Sequence, residues 1–261
     1  MKTKTFLLVI LMLAASGFVS AQTLQQIEDE LVRGAQEIEN WSAYGSNYDL
    51  DKLAAANKTF SKTLSKYAKR KDVLGFSFSK LKEFVSISTS ADGKFRVYSW
   101  DTNLGGTMHD YDDLYQFVGN DGKIYVEGGE SEEEDMGAFT YDVFDLPLKN
   151  GTIYMVCTTF IASTQDHFQS LKLLKITGGK TEAAKLIKTA KGLTDNVGFE
   201  YNFFSVVDRE ERPIKLFTYD SRARSFKFPV VIESEKFPLG EVTDRFITYR
   251  FDGKNFVKAS R

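Results

Sequence analysis

The chain has 261 residues, with 34 basic and 36 acidic side chains and a net charge of −2. This balance lacks the basic excess that nucleic-acid binding requires, so we expect no nucleic-acid partner. The 22 Phe and 12 Tyr favour a β-rich fold, because aromatic side chains fit the pleated surface of a sheet. Cys157 is the single cysteine, which excludes an intramolecular disulfide.

Residues 1–21 have the pattern of a cleavable export signal. Lys2 and Lys4 precede the continuous apolar run Phe6–Ala15, and small residues at Val19–Ala21 have the spacing that a signal peptidase accepts. The run is too short to span a bilayer comfortably and no second run follows, so we expect no integral membrane segment after cleavage near Ala21. The pattern predicts export to the periplasm or to the exterior of the cell.

Two helical patterns occupy residues 22–72. From Thr23 to Asn40, apolar residues recur at three- and four-residue spacing, and the Thr23 hydroxyl is suited to cap the first turn. A second helix is predicted from Leu50 to Lys69. The two form an N-terminal αα-hairpin, which is either packed on the rest of the chain or tethered to it.

Beyond residue 72 the apolar period changes from helical to two, which is typical of strands. Glycine-containing turns such as Ala91–Gly93, Gly119–Gly122 and Lys149–Gly151 separate the alternating runs. The predicted strands are Val85–Ser88, Phe95–Trp100, Leu114–Val118, Lys123–Glu127, Tyr141–Leu146, Thr152–Ile161, Leu171–Ile176, Thr181–Lys188, Phe199–Val207, Ile214–Tyr219, Phe226–Ile232, Arg245–Phe251 and Asn255–Val257.

The order of strands and turns suggests a repeat over residues 73–261. Gly93, Gly151 and Gly198 mark equivalent points of three units and are 58 and 47 residues apart, near the length of propeller blades. The unequal spacing is equally compatible with other meanders. We therefore predict a mainly β fold, a repetitive antiparallel meander that is propeller-like or an open barrel or sandwich, preceded by the αα-hairpin.

The only two histidines fall in loops that this repeat would place at equivalent positions. His109 and His167 each follow a marking glycine by 16 residues and each has a carboxylate neighbour, Asp110 and Asp166. If the units are successive, the loops emerge on one face and the two pairs approach each other. Imidazole and carboxylate bind divalent metals and act as acids and bases near neutral pH. The alternative is that two polar loops each contain a histidine by chance.

The stretch that follows the second predicted strand has two interpretations. Trp100 and Asp101, followed by Asn103 and Gly105–Gly106, suit a binding loop, because an exposed indole stacks on sugars and glycine permits close backbone approach. In the other interpretation, Trp100 is a core or rim residue and the glycines shape a turn.

No nucleophile, phosphate-binding or metal-spacing motif is present, so neither a cofactor nor a metal is predicted. The sequence instead predicts a non-catalytic binding or structural module of the cell envelope or exterior, whose loops contact a small molecule, a glycan or a protein. The alternative is a secreted hydrolase of a sugar or phosphate ester, with the His and Asp loops around a water or a divalent metal. The candidate binding residues are Trp100, Asp101, His109, Asp110, Asp166 and His167.

Overall fold

A computed structural model of the protein describes residues 22–129 and 137–259. The predicted export signal, residues 1–21, lies outside these ranges. Within them, an N-terminal pair of helices precedes a series of mostly antiparallel strands, so the mainly β class with an αα-hairpin in front is confirmed. Among the helices of the described residues, none combines the length and the apolarity needed to cross a bilayer.

The first two helices are α1 (Leu24–Trp41) and α2 (Leu50–Ala68), which confirms both predicted helices. Thr23 caps α1 in a capping box: its hydroxyl accepts a hydrogen bond from the backbone N–H of Gln26, whose side chain accepts one from the N–H of Thr23. A short helix α3 (Lys71–Leu74) and a 3₁₀ turn (Leu81–Glu83) lead into the first sheet.

Sheet A is a four-stranded antiparallel meander with the order β1-β2-β3-β4. The αα-hairpin packs on it, because Leu31 and Phe60 of the helices share one core with Tyr98 and Leu114 of the sheet. The packed arrangement is therefore the one observed. The strands are β1 (Ser86–Thr89), β2 (Phe95–Asp101), β3 (Tyr111–Val118) and β4 (Ile124–Gly128).

Buried polar side chains fix the helices on sheet A. Gln116 accepts a hydrogen bond from the Tyr98 hydroxyl at 2.7 Å and donates to the Ala68 carbonyl at 2.6 Å. The Arg96 guanidinium donates to the carbonyls of Val73 and Phe76, at 3.1 and 2.8 Å. The three bonds to Ala68, Val73 and Phe76 satisfy carbonyls at or just beyond the ends of helices, which would otherwise be costly to bury.

Sheet B has the strand order β11-β7-β6-β5, with β8 paired to the outer part of β7. Every pairing is antiparallel. The strands are β5 (Phe139–Leu148), β6 (Gly151–Ile161), β7 (Asp166–Thr177), β8 (Lys180–Ala183) and β11 (Asn196–Asn202).

Sheet C has the order β10-β9-β15-β14-β13-β12, in which only β15 and β9 are parallel. It packs on sheet B through a shared core that includes Met155, Leu171, Phe226 and Phe256. The strands are β9 (Ile187–Thr189), β10 (Gly192–Thr194), β12 (Thr218–Asp220), β13 (Ser225–Ile232), β14 (Glu241–Phe251) and β15 (Phe256–Lys258).

The predicted repeat is not confirmed, and neither a propeller nor a closed barrel is formed by the described strands. Strand β11 was expected to open a third unit, yet it pairs with β7 in sheet B, while β9 joins sheet C. The strand predicted at Phe199–Val207 also ends early. The Asn202 side chain accepts a hydrogen bond from the N–H of Phe204 and starts a 3₁₀ turn, Phe203–Val206, that alternation could not reveal.

Asp113 lies on β3 where sheets A and B meet. One of its carboxylate oxygens accepts a hydrogen bond from the Thr140 hydroxyl of β5, and the other has no partner among the described residues. Burial raises the pKa of the Asp113 carboxyl to about 7, although the nearby Ser99 and Thr140 hydroxyls lower it. At pH values between 3.8 and about 7, the folded protein therefore holds a proton here that the unfolded chain releases.

We expect Asp113→Asn to remove a pH dependence of stability. Between the ordinary pKa of 3.8 and about 7, the unfolded carboxyl is ionised and the folded one is protonated, so the free energy of unfolding falls as pH rises. Urea melts from pH 4 to pH 8 give the free energy of unfolding of the wild type and of the variant. The wild-type value minus the variant value should decrease towards pH 7 and then level off. The control Asp51→Asn, at an exposed position, should leave the wild-type pH profile unchanged. Parallel curves for wild type and Asp113→Asn would contradict the assignment.

Candidate functional site: a loop face

Four connecting segments gather at one end of the molecule, and we call this surface the loop face: residues 42–49, 102–110, 162–165 and 203–212. The N–H of His109 donates to the carbonyl of Ile161 at 3.1 Å, which joins the second segment to the end of β6, directly before the third. The N–H of Phe203 donates to the carbonyl of Gln165 at 2.7 Å, which joins the third to the fourth. Tyr44 and Asn103 line one open cleft of about 500 Å³ between the first two segments.

Trp100 belongs to the core beneath this face. It is 2% exposed, and its indole meets the Phe60 ring edge-on with the centroids 5.1 Å apart. Its Nε1 donates to Asn57 Oδ1 at 3.3 Å. Because no part of the ring is available for stacking on a ligand, the core interpretation holds and Trp100 is removed from the set of candidate binding residues.

Asn57 of α2 holds the start of segment 102–110. Its Nδ2 donates to the carbonyl of Leu53 within the helix at 3.0 Å and to that of Thr102 at 2.8 Å. Its Oδ1 accepts the bond from Trp100, so both polar atoms of the Asn57 amide have partners although the residue is only 6% exposed. The helical hairpin therefore positions the loop through one buried side chain.

We expect Asn57→Ala to destabilise the protein by about 1–3 kcal/mol, because the Trp100 Nε1 and the Thr102 carbonyl lose their partners while remaining buried. The free energy of unfolding from urea melts measures this effect. Lys58→Ala, at the exposed neighbouring position on α2, should change it by less than about 0.5 kcal/mol. Equal losses in the two variants would show that the amide does not hold the loop.

Segment 102–110 is closed by its own backbone and side chains. The N–H of Thr102 donates to the carbonyl of Asp110 at 2.9 Å. Asp101 Oδ1 accepts from the N–H of Asn103 at 2.8 Å, and Asn103 has a φ of +56°. A side chain at Gly105 would lie only 2.1 Å from the carbonyl oxygen of Met108, so this glycine permits the close approach of the backbone.

Asp101 and His109 form a directed pair on the loop face. Asp101 Oδ2 lies 2.6 Å from His109 Nδ1, and since a carboxylate only accepts, Nδ1 carries the hydrogen. The His109 side chain is 36% exposed and stacks near Tyr111 with the ring centroids 5.9 Å apart. The pair is an oriented imidazole whose Nε2 is left as its second polar atom, an arrangement used both for hydrogen bonding to a partner and for general base chemistry.

Asp110 does not pair with its neighbour His109, contrary to the expected His–Asp pair. Its Oδ2 accepts from the Thr102 hydroxyl at 2.7 Å, and its Oδ1 accepts from the N–H of Gly137 at 3.2 Å. The carboxylate of Asp110 therefore shapes the loop, while that of Asp101 orients the imidazole. Sequence adjacency selected the wrong carboxylate because the loop folds back on its own beginning.

His167 lies in β7 rather than in a loop, because that strand begins at Asp166. It pairs with Ile161 across the ladder and is 7% exposed, with its ring stacked on Phe203 at a centroid distance of 4.6 Å. Burial lowers the pKa of the His167 imidazole; the charge of Asp166 opposes this shift, and that of His109 adds to it. The two histidines are thus close enough to interact electrostatically, but their rings have different partners.

Asp166 completes the turn between β6 and β7. Its N–H donates to the Ser163 hydroxyl at 3.0 Å, and its carbonyl accepts from the N–H of Ala162 at 3.0 Å. Within residues 22–129 and 137–259, no cluster of three or more His, Cys, Asp or Glu side chains is arranged to hold a metal ion.

We expect His167→Phe to reduce acid sensitivity. The folded pKa of His167 is lowered, so below the ordinary value of 6.5 the unfolded state takes up a proton first and the wild type loses stability as pH falls. Phe keeps the apolar stack on Phe203 without the titration. The free energy of unfolding, measured from pH 7.5 to pH 5, should fall more for wild type than for the variant. An equal fall in both proteins would exclude this role.

The sequence interpretation missed the apolar side chains that these loops expose. Tyr44, Tyr48, Leu104 and Met108 stand outside any predicted strand or helix, and large apolar residues in such connections were the signal that could have revealed them. The exposed apolar side chains on or beside the loop face are Tyr44, Tyr48, Leu50, Leu104, Met108, Phe204 and Val207.

No protein-family model matches the chain, and no curated protein matches it either.

Proposed function

We propose that this protein is an exported, non-catalytic binding module and that a partner protein docks on its loop face. The observation that carries the proposal is the concentration of exposed apolar side chains on this one surface. Twelve large hydrophobic residues are exposed in the described part of the chain. Six of them lie in the segments of the loop face, and a seventh, Leu50, directly follows segment 42–49. A scattered distribution would need no explanation, but a concentrated one is typical of an interface.

The exposed fractions support a contact surface rather than a loosely packed core. Tyr44 is 76% exposed, Phe204 is 46% exposed and Met108 is 39% exposed. The segments of Met108 and Phe204 are held by backbone hydrogen bonds to the end of β6 and to the connection between β6 and β7, and that of Tyr44 by a bond from the N–H of Gly45 to the carbonyl of Ser42. Their positions are therefore held before binding. Pre-organised Tyr, Phe and Met are the residue types enriched at the centre of protein interfaces.

The shape of the face favours a protein over a small molecule. A small ligand needs a concave site that surrounds most of its surface, whereas the exposed apolar side chains here are spread over three of the four segments. The Asp101–His109 pair lies within this apolar surface and offers a directed polar contact. A partner with a complementary apolar patch and one polar group opposite His109 fits this chemistry.

Photo-crosslinking in the source cell tests the proposal. A benzophenone-bearing amino acid is placed at Met108 or at Phe204 in the full-length chain, and at Leu193 as a control. Leu193 is 51% exposed but lies on the β9–β10 hairpin. We expect one and the same protein adduct from the first two positions and none from Leu193. Adducts of equal yield from Leu193, or no adduct from either loop position, would refute the proposal.

Affinity for the purified crosslinked partner gives the quantitative test. Buried interface anchors contribute about 2 kcal/mol each, so Leu104→Ser, Met108→Ser and Phe204→Ser together should weaken binding by at least about 100-fold. All three side chains are exposed, so the free energy of unfolding should change by less than about 1 kcal/mol. An unchanged dissociation constant would place the interface elsewhere.

The Asp101–His109 pair supports a second candidate, the hydrolysis of a sugar or phosphate ester with His109 as general base. Its 2.6 Å hydrogen bond has the geometry of a base held by an orienting carboxylate. Assays with p-nitrophenyl glycosides and p-nitrophenyl phosphate separate the two functions. The binding proposal expects wild type and His109→Ala to be equally inactive, whereas turnover that both Asp101→Asn and His109→Ala abolish would favour the hydrolase.

A further inference from the structure

A second candidate site lies in a recess of about 310 Å³ between the 3₁₀ turn Phe203–Val206 and the outer strands of sheet C. Its position is fixed by Gln169 of β7, which is fully buried. The Gln169 side chain donates to the carbonyl of Ile214 at 2.8 Å and accepts from the N–H of Leu216 at 3.1 Å. One wall of the recess is therefore held by sheet B and the other by sheet C.

The floor of the recess is apolar and its rim is charged. Val206 and Leu216 are 4% and 3% exposed and form the floor together with Pro229 and Val242. The Phe246 ring, 48% exposed, stands at the rim. The charged lining residues are Arg209, Lys215, Lys227 and Asp244.

The three cations of the rim differ in what already neutralises them. The Lys215 amine lies 3.1 Å from the carboxylate of Asp142, and Arg209 pairs through Nε with Glu211. Within the described residues, Lys227 has no carboxylate partner; its amine lies 4.6 Å from the centroid of the Phe246 ring. Lys227 is thus the cation that is free to bind an anion.

The strand register gives Lys227 hydroxyl neighbours. Lys227 of β13 is opposite Thr218 of β12 on one side and opposite Thr248 of β14 on the other. Cross-strand partners project from the same face of a sheet, and Thr218 also lines the recess. The Lys227 ammonium and the Thr218 hydroxyl therefore provide hydrogen-bond donors at one edge of the apolar floor.

We propose that the recess binds a small organic carboxylate with one negative charge and an apolar body. The carboxylate pairs with Lys227, and the apolar body covers Leu216 and the side of Phe246. The Asp244 carboxylate on the same rim repels a second negative group, which selects monoanions over dianions. This proposal does not rest on the partner of the loop face, although Ser205, Val206 and Arg209 of segment 203–212 also line the recess.

Benzoate is the probe, and amide chemical shifts of the full mature chain are the readout. Ligands of this size bind weakly, so we expect a dissociation constant of about 1 mM, with shifts at Leu216, Thr218 and Val242. The neutral isostere benzamide and the dianion phthalate should each bind at least tenfold more weakly. Equal binding of benzamide, or shifts that avoid these residues, would overturn the proposal.

Matched variants locate the charge that is responsible. Lys227→Met keeps the apolar stem and should weaken benzoate binding at least fivefold, while Lys227→Arg should stay within threefold of wild type. Lys236→Met is the control, because Lys236 lies over the Phe237 ring at 4.9 Å in the same kind of contact but outside the recess. Unchanged binding in Lys227→Met, or an equal loss in Lys236→Met, would refute the assignment.

Discussion

The buried amide of Asn57 is the contact on which the arrangement of the functional end depends. It accepts from the Trp100 indole and donates to the Thr102 carbonyl, so helix α2, the end of β2 and the start of segment 102–110 meet at one side chain. A buried amide tolerates little displacement, since every bond it loses leaves a polar group without water. The loop face is therefore supported from below by the helical hairpin, and Asp101 and His109 are aligned within it.

Burial shifts the pKa values of two side chains in opposite directions. At Asp113, between sheets A and B, it favours the protonated carboxyl, while at His167, under segment 203–212, it favours the neutral imidazole. Burial therefore disfavours the charged form of both groups. The charge available to a partner is instead left near the surface, on the Asp101–His109 pair and on Lys227.

The two candidate sites use different surfaces of one framework. The loop face is broad and presents apolar side chains from three loop segments, which suits a protein partner. The recess beside sheet C is concave and has a buried floor. At its rim, Lys227 has no carboxylate partner within the described residues, which suits a small anion. They share the segment that begins at Phe203, because this segment stacks on His167 on one side and borders the recess with Ser205 and Val206 on the other.

The sequence by itself determined the local structure of most elements. The α1 and α2 helices and the turn before β6 follow from periodicity, capping and glycine placement, which act between residues near in the chain. The identity of the loop that carries His109 was also predictable. Which carboxylate orients His109 was not, because Asp101 reaches it only when the loop closes.

Only the tertiary structure decided the pairing of the strands and the roles of the aromatic residues. Alternation specifies a strand but not its neighbour, so β11 pairing with β7 and β9 joining sheet C could not be read from turns and periods. The same alternation leaves open whether Trp100 faces a ligand or a helix; packing of α2 settled it. These outcomes depend on contacts between residues far apart in the chain, whose free energy arises only when the complete core forms.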